Sequence, residues 1–264
     1  MQLCREVALA RVEPIIAGCR SSGVVQLPIL PTGMKVMLSL SAVVAGSIAL
    51  FGGAVWALST TRQSSWFHSN DGSAYFTLLN ICAIEREFRA SRCIDADGDG
   101  IGEFGTLAEL SGGAELLGKS HVLNPPLLSG AFRTIALDGF ARRSGYRIRV
   151  YLPDAAGNGV HESGLLPSSS KLPSRDRATD LVDPKLASRR WCAYAWPEEH
   201  ERSGRRTFVI DQDGTALCTI DPRYSGDHGP LPGAAFVAGG SSSIVGRLAR
   251  GAAAQDGNLW ADCR

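Results

Sequence analysis

An uncharged apolar segment, Val36–Leu58, constrains this chain more than any other feature of the sequence. Its 23 residues would form a helix long enough to cross a bilayer core of roughly 30 Å, at about 1.5 Å per residue. Trp56, near the end of the segment, suits the membrane–water interface. The sequence therefore predicts a single N-terminal transmembrane helix, or signal anchor, over residues 36–58.

The charges around this segment predict its orientation. Residues 1–35 carry four basic and two acidic side chains, whereas residues 59–264 carry 23 basic and 24 acidic ones. Because Lys and Arg favour the cytoplasmic side of a membrane, residues 1–35 form a predicted cytoplasmic segment. The large C-terminal part is then extracytoplasmic, in the periplasm or at the cell surface.

A cleaved signal peptide is the alternative to a lasting anchor. Met34-Lys35 before the apolar run has the form of a signal-peptide start, and Val55-Trp56-Ala57 offers a small-residue cleavage pattern. Under this interpretation residues 1–33 come from a mis-assigned start, and the mature protein is secreted. The apolar run is longer than an ordinary signal core, which favours the anchor.

The composition limits the possible partners of the exported part. Of the 264 residues, 44% are hydrophobic and 20% are charged, so the chain can bury a core. A formal net charge of +1 gives no strong field for nucleic acid. The partners that we expect are the membrane itself and other envelope proteins.

The periodicity of residues 73–225 predicts an α+β domain after a polar linker, residues 59–72. Helical spacing relates Ala74, Leu78, Ile81, Ile84 and Phe88, and a short helix is expected over Thr106–Leu110. Strand patterns cover Tyr146–Leu152, Arg190–Trp196, Thr207–Ile210 and Thr215–Ile220, the last two joined by an Asp-Gly hairpin turn. Residues 155–189 form a predicted insertion, and residues 226–264 a Gly/Ala-rich C-terminal tail.

This order of elements resembles that of bacterial pilin-like and pseudopilin-like proteins. The resemblance rests on Asn80-Ile81, Glu85 and Phe88-Arg89, followed by DADGDGIGEFGTLAEL (95–110), SGYRIRVYLP (144–153), WCAYAWP (191–197) and RTFVIDQDG (206–214). It implies an amphipathic helix packed on a small antiparallel sheet outside the membrane. No Gly-Phe type of prepilin processing site, with Glu five residues into the mature helix, precedes or enters Val36–Leu58. The resemblance therefore extends to the outer domain and not to filament assembly.

The acidic loop at 95–103 is the strongest local sign of a ligand. Asp95, Asp97 and Asp99 follow a D-x-D-x-D-G pattern, and Glu103 occupies the ninth position of the loop. Ca²⁺ binds six to eight oxygen atoms, and this spacing wraps carboxylates around one point. The sequence predicts a structural calcium site formed by these four residues. The alternative is a surface turn held by Asx hydrogen bonds.

No sequence motif for catalysis accompanies this loop. The chain has no G-x-S-x-G elbow, no Walker A loop and no H-x-x-x-H pair. We therefore expect a non-enzymatic, membrane-anchored envelope protein that acts through protein contacts. The alternatives are an exported hydrolase that uses the carboxylates of residues 95–103 and a secreted calcium-binding module.

The cysteines leave the redox state open. Five of the seven lie in the exported part, where disulfides are permitted, namely Cys82, Cys93, Cys192, Cys218 and Cys263. Because five is odd, at least one thiol stays free or pairs between chains. Free thiols and one or two bridges are both compatible with the sequence.

Overall fold

The structure, a computed structural model, describes residues 69–133, 135, 139–162, 181–237 and 242–263. Helices run over α1 (residues 69–90), α2 (Leu107–Leu110) and α3 (Pro184–Ala187), with a 3-10 turn at Gly130–Phe132. The strands are β1 (Ala141–Arg143), β2 (Tyr146–Pro153), β3 (Gly159–Val160), β4 (Cys192–Pro197), β5 (Thr207–Asp211), β6 (Ala216–Thr219) and β7 (Ala261–Asp262). The predicted α+β class with an antiparallel sheet is confirmed.

Six of the strands form a path in the order β1-β2-β4-β5-β6-β7, and β3 pairs with β2. Every pairing is antiparallel, with Ile148 opposite Ala195 and Val209 opposite Leu217. The predicted strands and the hairpin between β5 and β6 are confirmed. In that hairpin, Oδ1 of Asp211 accepts hydrogen bonds from the backbone N–H groups of Asp213 and Thr215.

Helix α1 contributes the main apolar stripe that packs with one face of the sheet. Ala74, Leu78, Ile81 and Phe88 are at most 1% exposed, which confirms the predicted face, whereas Ile84 is only half-buried. They share one core with alternate side chains of the strands: Tyr146, Ile148 and Val150 of β2, Ala193 and Ala195 of β4, and Phe208 and Ile210 of β5. The small β4 residues leave room for the helix.

The other face of the sheet is also buried. Tyr151, Tyr194, Trp196 and Val209 point to a second core, which is completed by the C-terminal segment in its described residues 224–237 and 242–260. That segment contributes Tyr224, Ala235, Phe236, Ile244, Leu248 and Trp260. The described residues 226–237 and 242–263 therefore take part in the folded domain, and they do so with little regular secondary structure.

Helix α1 already includes residues 69–72, which the sequence pattern places in the linker. Polar side chains hold this turn to the sheet: the Asn70 amide donates to the carbonyl oxygen of Ser203 at 2.8 Å. The buried carboxylate of Asp71 accepts from the Tyr146 hydroxyl at 2.6 Å and from the Arg205 backbone N–H at 3.1 Å. These partners lie far along the chain, so local periodicity does not reveal them.

The predicted membrane segment, Val36–Leu58, lies outside the described residues. Among the residues that are described, no helix combines the length and apolar character needed to cross a bilayer.

Candidate metal centre and neighbouring buried carboxylates

The acidic loop begins where α1 ends. Arg92 adopts a left-handed conformation, with φ of 50°, and turns the chain out of the helix. Gly100 also has positive φ, 82°, as the tight turn of the acidic loop requires. Gly102 packs so closely on the helix that a Cβ atom there would lie 2.2 Å from the carbonyl oxygen of Arg89. The loop is thus fixed against the C-terminal end of α1.

Three of the four predicted ligands converge. One carboxylate oxygen from each of Asp95, Asp97 and Asp99 lies within 4.8 Å of the others. Asp97 and Asp99 are exposed, and Asp95 is half-buried. Oδ1 of Asp97 accepts from the Asp99 N–H and Oδ1 of Asp99 from the Ile101 N–H, as in Asx turns. The observed loop geometry is therefore compatible both with a metal site and with a turn held by Asx hydrogen bonds.

Glu103 does not join this group of three, but it closes the base of the loop. Its side chain is buried, Oε1 accepts from the Ala96 N–H at 3.0 Å, and its own N–H donates to the Ile94 carbonyl oxygen. Burial raises the pKa of Glu103, and the nearby carboxylates of Asp97 and Asp95 raise it further. Within the described part of the chain, Oε2 of Glu103 and the buried Oδ1 of Asp95 have no hydrogen-bond partner.

The converging carboxylates, with the unpartnered Oδ1 of Asp95, are compatible with a hard cation. Asp95, Asp97 and Asp99 would hold calcium through carboxylate oxygens, while Glu103 supports the loop from beneath. Basic groups act against tight binding, because a shallow cleft beside the loop is lined by arginines. They are Arg86, Arg89 and Arg92, next to Gly100–Gly102.

A second group of carboxylates lies inside the protein, around the start of α2. Glu85 of α1 is fully buried, Oε2 accepts from the Gly105 N–H at 3.0 Å, and no described residue contacts Oε1 through a hydrogen bond. Glu109 accepts from the Thr106 and Leu117 N–H groups, both at 2.8 Å. Oε1 of the buried Glu162 accepts from the Ala108 N–H at 2.9 Å.

Burial dominates the protonation of this second group. It raises the pKa of Glu85 well above the ordinary value, and that of Glu109 as well. Burial, with a contribution from the negative charge of Glu109, raises the pKa of Glu162 to about 7. Backbone N–H donors favour the ionised forms, but they do not offset the burial. Burial therefore favours the protonated form of all three carboxyls.

Two of the three buried carboxylates, Glu109 and Glu85, could have been identified in the sequence. Thr106 and Glu109 have the spacing of a capping box, which the structure contains at the start of α2. Glu85 follows Ile81 by four residues and precedes Phe88 by three, so it lies on the buried stripe of α1. No pattern in the sequence predicts the contact between Glu162 and Ala108, because the two residues are 54 positions apart.

Comparison with known proteins gives no significant match to a protein-family model, to a curated protein or to a solved structure.

Proposed function

We propose that the chain is a non-enzymatic, membrane-anchored envelope protein with a pilin-like or pseudopilin-like domain outside the membrane, acting through contacts with other envelope proteins. The observation that carries the proposal is the packing of α1 against the antiparallel sheet, in a chain whose long apolar segment ends at Leu58, shortly before α1. A Tyr75–Phe208 ring contact, with centroids 6.1 Å apart, ties the beginning of α1 to β5.

The arrangement of the carboxyls favours a structural role over a hydrolase. A glycoside hydrolase needs an acid of raised pKa and a second carboxylate that both reach the scissile bond. Glu103, Glu85 and Glu162 have raised pKa values, but each is at most 4% exposed. Each also binds a backbone N–H, that of Ala96 for Glu103, of Gly105 for Glu85 and of Ala108 for Glu162. These contacts support a role in holding the chain rather than in reaching a polymer.

Membrane extraction and the mature N-terminus test the anchor. We expect the protein to stay in native membranes through an alkaline carbonate wash and to dissolve only in detergent, because residues 36–58 remain attached. Its N-terminal sequence should then begin before Val36. A soluble product that begins near Leu58 would contradict the anchor and favour the secreted calcium-binding module.

Calcium should stabilise the folded domain through the acidic loop. A site with a dissociation constant near ~10⁻⁴ M adds roughly 1.4 kcal/mol of stability in about 1 mM calcium. That corresponds to an increase of a few degrees in melting temperature, measured by circular dichroism on the purified chain. The gain has a physical basis, because the carboxylates of Asp95, Asp97 and Asp99 repel one another without a cation.

Matched variants separate a metal site from a turn. Asp97→Ala should abolish the calcium-dependent shift, because it removes one of the converging oxygens. Asp213→Ala removes a carboxylate from the β5–β6 hairpin and should leave the shift intact. Equal melting temperatures of the unaltered chain in calcium and in chelator would assign the loop as a turn alone.

A further inference from the structure

Two cysteines meet at the edge of the sheet formed by β6 and β7. The register places Cys218 opposite Ala261 and Leu217 opposite Asp262, so Cys263 lies just beyond the last hydrogen-bonded pair. Since side chains alternate along a strand, Cys218 and Cys263 are diagonal neighbours on one face. Both are half-buried and pack against the core on the α1 side.

The two thiols change each other's ionisation. Hydrogen bonding with Cys263 lowers the pKa of Cys218 to about 7, with a further contribution from the positive charge of Arg206. The same bond raises the pKa of Cys263. The lowered pKa makes Cys218 the more readily ionised of the two thiols, and a thiolate beside a second thiol is the arrangement that reacts with disulfides.

The other described cysteines have different surroundings. The sulfur of Cys82 lies 3.9 Å from the carbonyl oxygen of Asp211, and that of Cys192 lies 4.0 Å from the carbonyl oxygen of Pro232. Burial raises the pKa of both thiols, and also that of Cys93. Their surroundings therefore favour the unreactive thiol form.

We propose that Cys218 and Cys263 are a disulfide-forming pair, closed by exchange with a disulfide-bonded oxidant such as glutathione disulfide. The Cys218 thiolate attacks one sulfur of the oxidant and displaces the other as a thiolate, which takes up a proton. Cys263 then loses its proton and attacks the Cys218 sulfur of the mixed disulfide, releasing the second thiolate of the oxidant. Two protein thiols are oxidised, and one oxidant disulfide is reduced to two thiols.

A disulfide at this position would restrain the C-terminal segment of the domain. Described residues of the segment between β6 and Cys263 cover the second face of the sheet, where Phe236 and Trp260 are buried, but β7 pairs over only two residues. A bond from β6 to Cys263 would close this long irregular segment into a loop and restrict it in the unfolded state. Because Cys263 follows the ladder, it can approach Cys218 without breaking a β6–β7 pair.

The full chain, purified under reduction and then exposed to glutathione disulfide at pH 8, tests the pairing. We expect a Cys218–Cys263 cross-linked peptide by mass spectrometry and the loss of both residues from maleimide labelling after denaturation. The oxidised chain should melt roughly 5 °C or more above the same chain in dithiothreitol.

Single substitutions provide the controls. Cys218→Ser and Cys263→Ser should each remove the cross-linked peptide and the redox-dependent shift in melting temperature, whereas Cys93→Ser should keep both. The experiment on the unaltered chain decides the proposal even if a variant misfolds. If both thiols still react with maleimide after oxidation of the folded chain, or if Cys218 is linked to another cysteine, the pairing is overturned.

Discussion

Ile81→Asp is expected to unfold the domain. Ile81 is fully buried in the core between α1 and the sheet, together with Leu78 and Phe208. The substitution removes a buried side chain worth about 1.5–3 kcal/mol and places an unpaired carboxyl in an apolar site. A total loss of about 4 kcal/mol or more is comparable to the whole stability of many domains. Circular dichroism should show lost cooperative melting, or a melting temperature lowered by ten degrees or so.

Substitutions at two other positions of α1 serve as controls. Asn80 is exposed, so Asn80→Asp should leave the melting temperature nearly unchanged. Ile84 is half-buried, so Ile84→Asp should have an intermediate effect. An Ile81→Asp variant that melts within a degree or two of the unaltered chain would mean that the buried face of α1 is misassigned.

The second large effect concerns Glu162 and pH. Burial raises the pKa of Glu162 to about 7, above its ordinary value near 4.5. The folded state therefore holds a proton that the unfolded state releases at lower pH. The stability from this group is fully present below pH ~4.5 and is lost as the pH rises through about 7. The cost at pH 8 is about 3 kcal/mol by linkage.

Glu162→Gln should remove this dependence. Glutamine keeps an oxygen that can accept the Ala108 N–H, and it has no proton to lose. Chemical denaturation should give similar stabilities for variant and unaltered chain at pH 4, with the variant more stable by about 3 kcal/mol at pH 8. Glu162→Ala should lose the same pH slope but be less stable than the Gln variant throughout, because the Ala108 N–H loses its acceptor. Parallel pH profiles of the Gln variant and the unaltered chain would refute the assignment.

The parts of the fold that periodicity encodes were predictable. Alternation over Tyr146–Leu152 and the Asp-Gly turn between β5 and β6 correspond to observed elements. The second core was not predictable, because Phe236 and Trp260 come from a segment with little regular structure. Tyr151 alternates along β2 with the side chains that face α1, and it is only 2% exposed because Phe236 and Trp260 belong to the core on its face of the sheet.

The candidate site also has a part that the sequence predicts and a part that it does not. The spacing of Asp95, Asp97 and Asp99 predicts their convergence, since each contributes an oxygen to one turn. Glu103 was assigned to the same group from its loop position alone. Its side chain instead turns inward to bind the Ala96 N–H, because a hydrogen-bonded position at the base of the loop was available. Glu162 shows the limit of local patterns, because its partner, the Ala108 N–H, belongs to another part of the chain.

Protease accessibility in intact spheroplasts tests the central claim, an extracytoplasmic domain on a membrane anchor, most directly. Protease added outside should degrade residues 59–264, while a cytoplasmic marker protein survives in the same cells. A sample lysed before digestion shows that the domain can be cleaved. If residues 59–264 survive in intact spheroplasts and are degraded only after lysis, the domain lies in the cytoplasm and the proposed function is wrong.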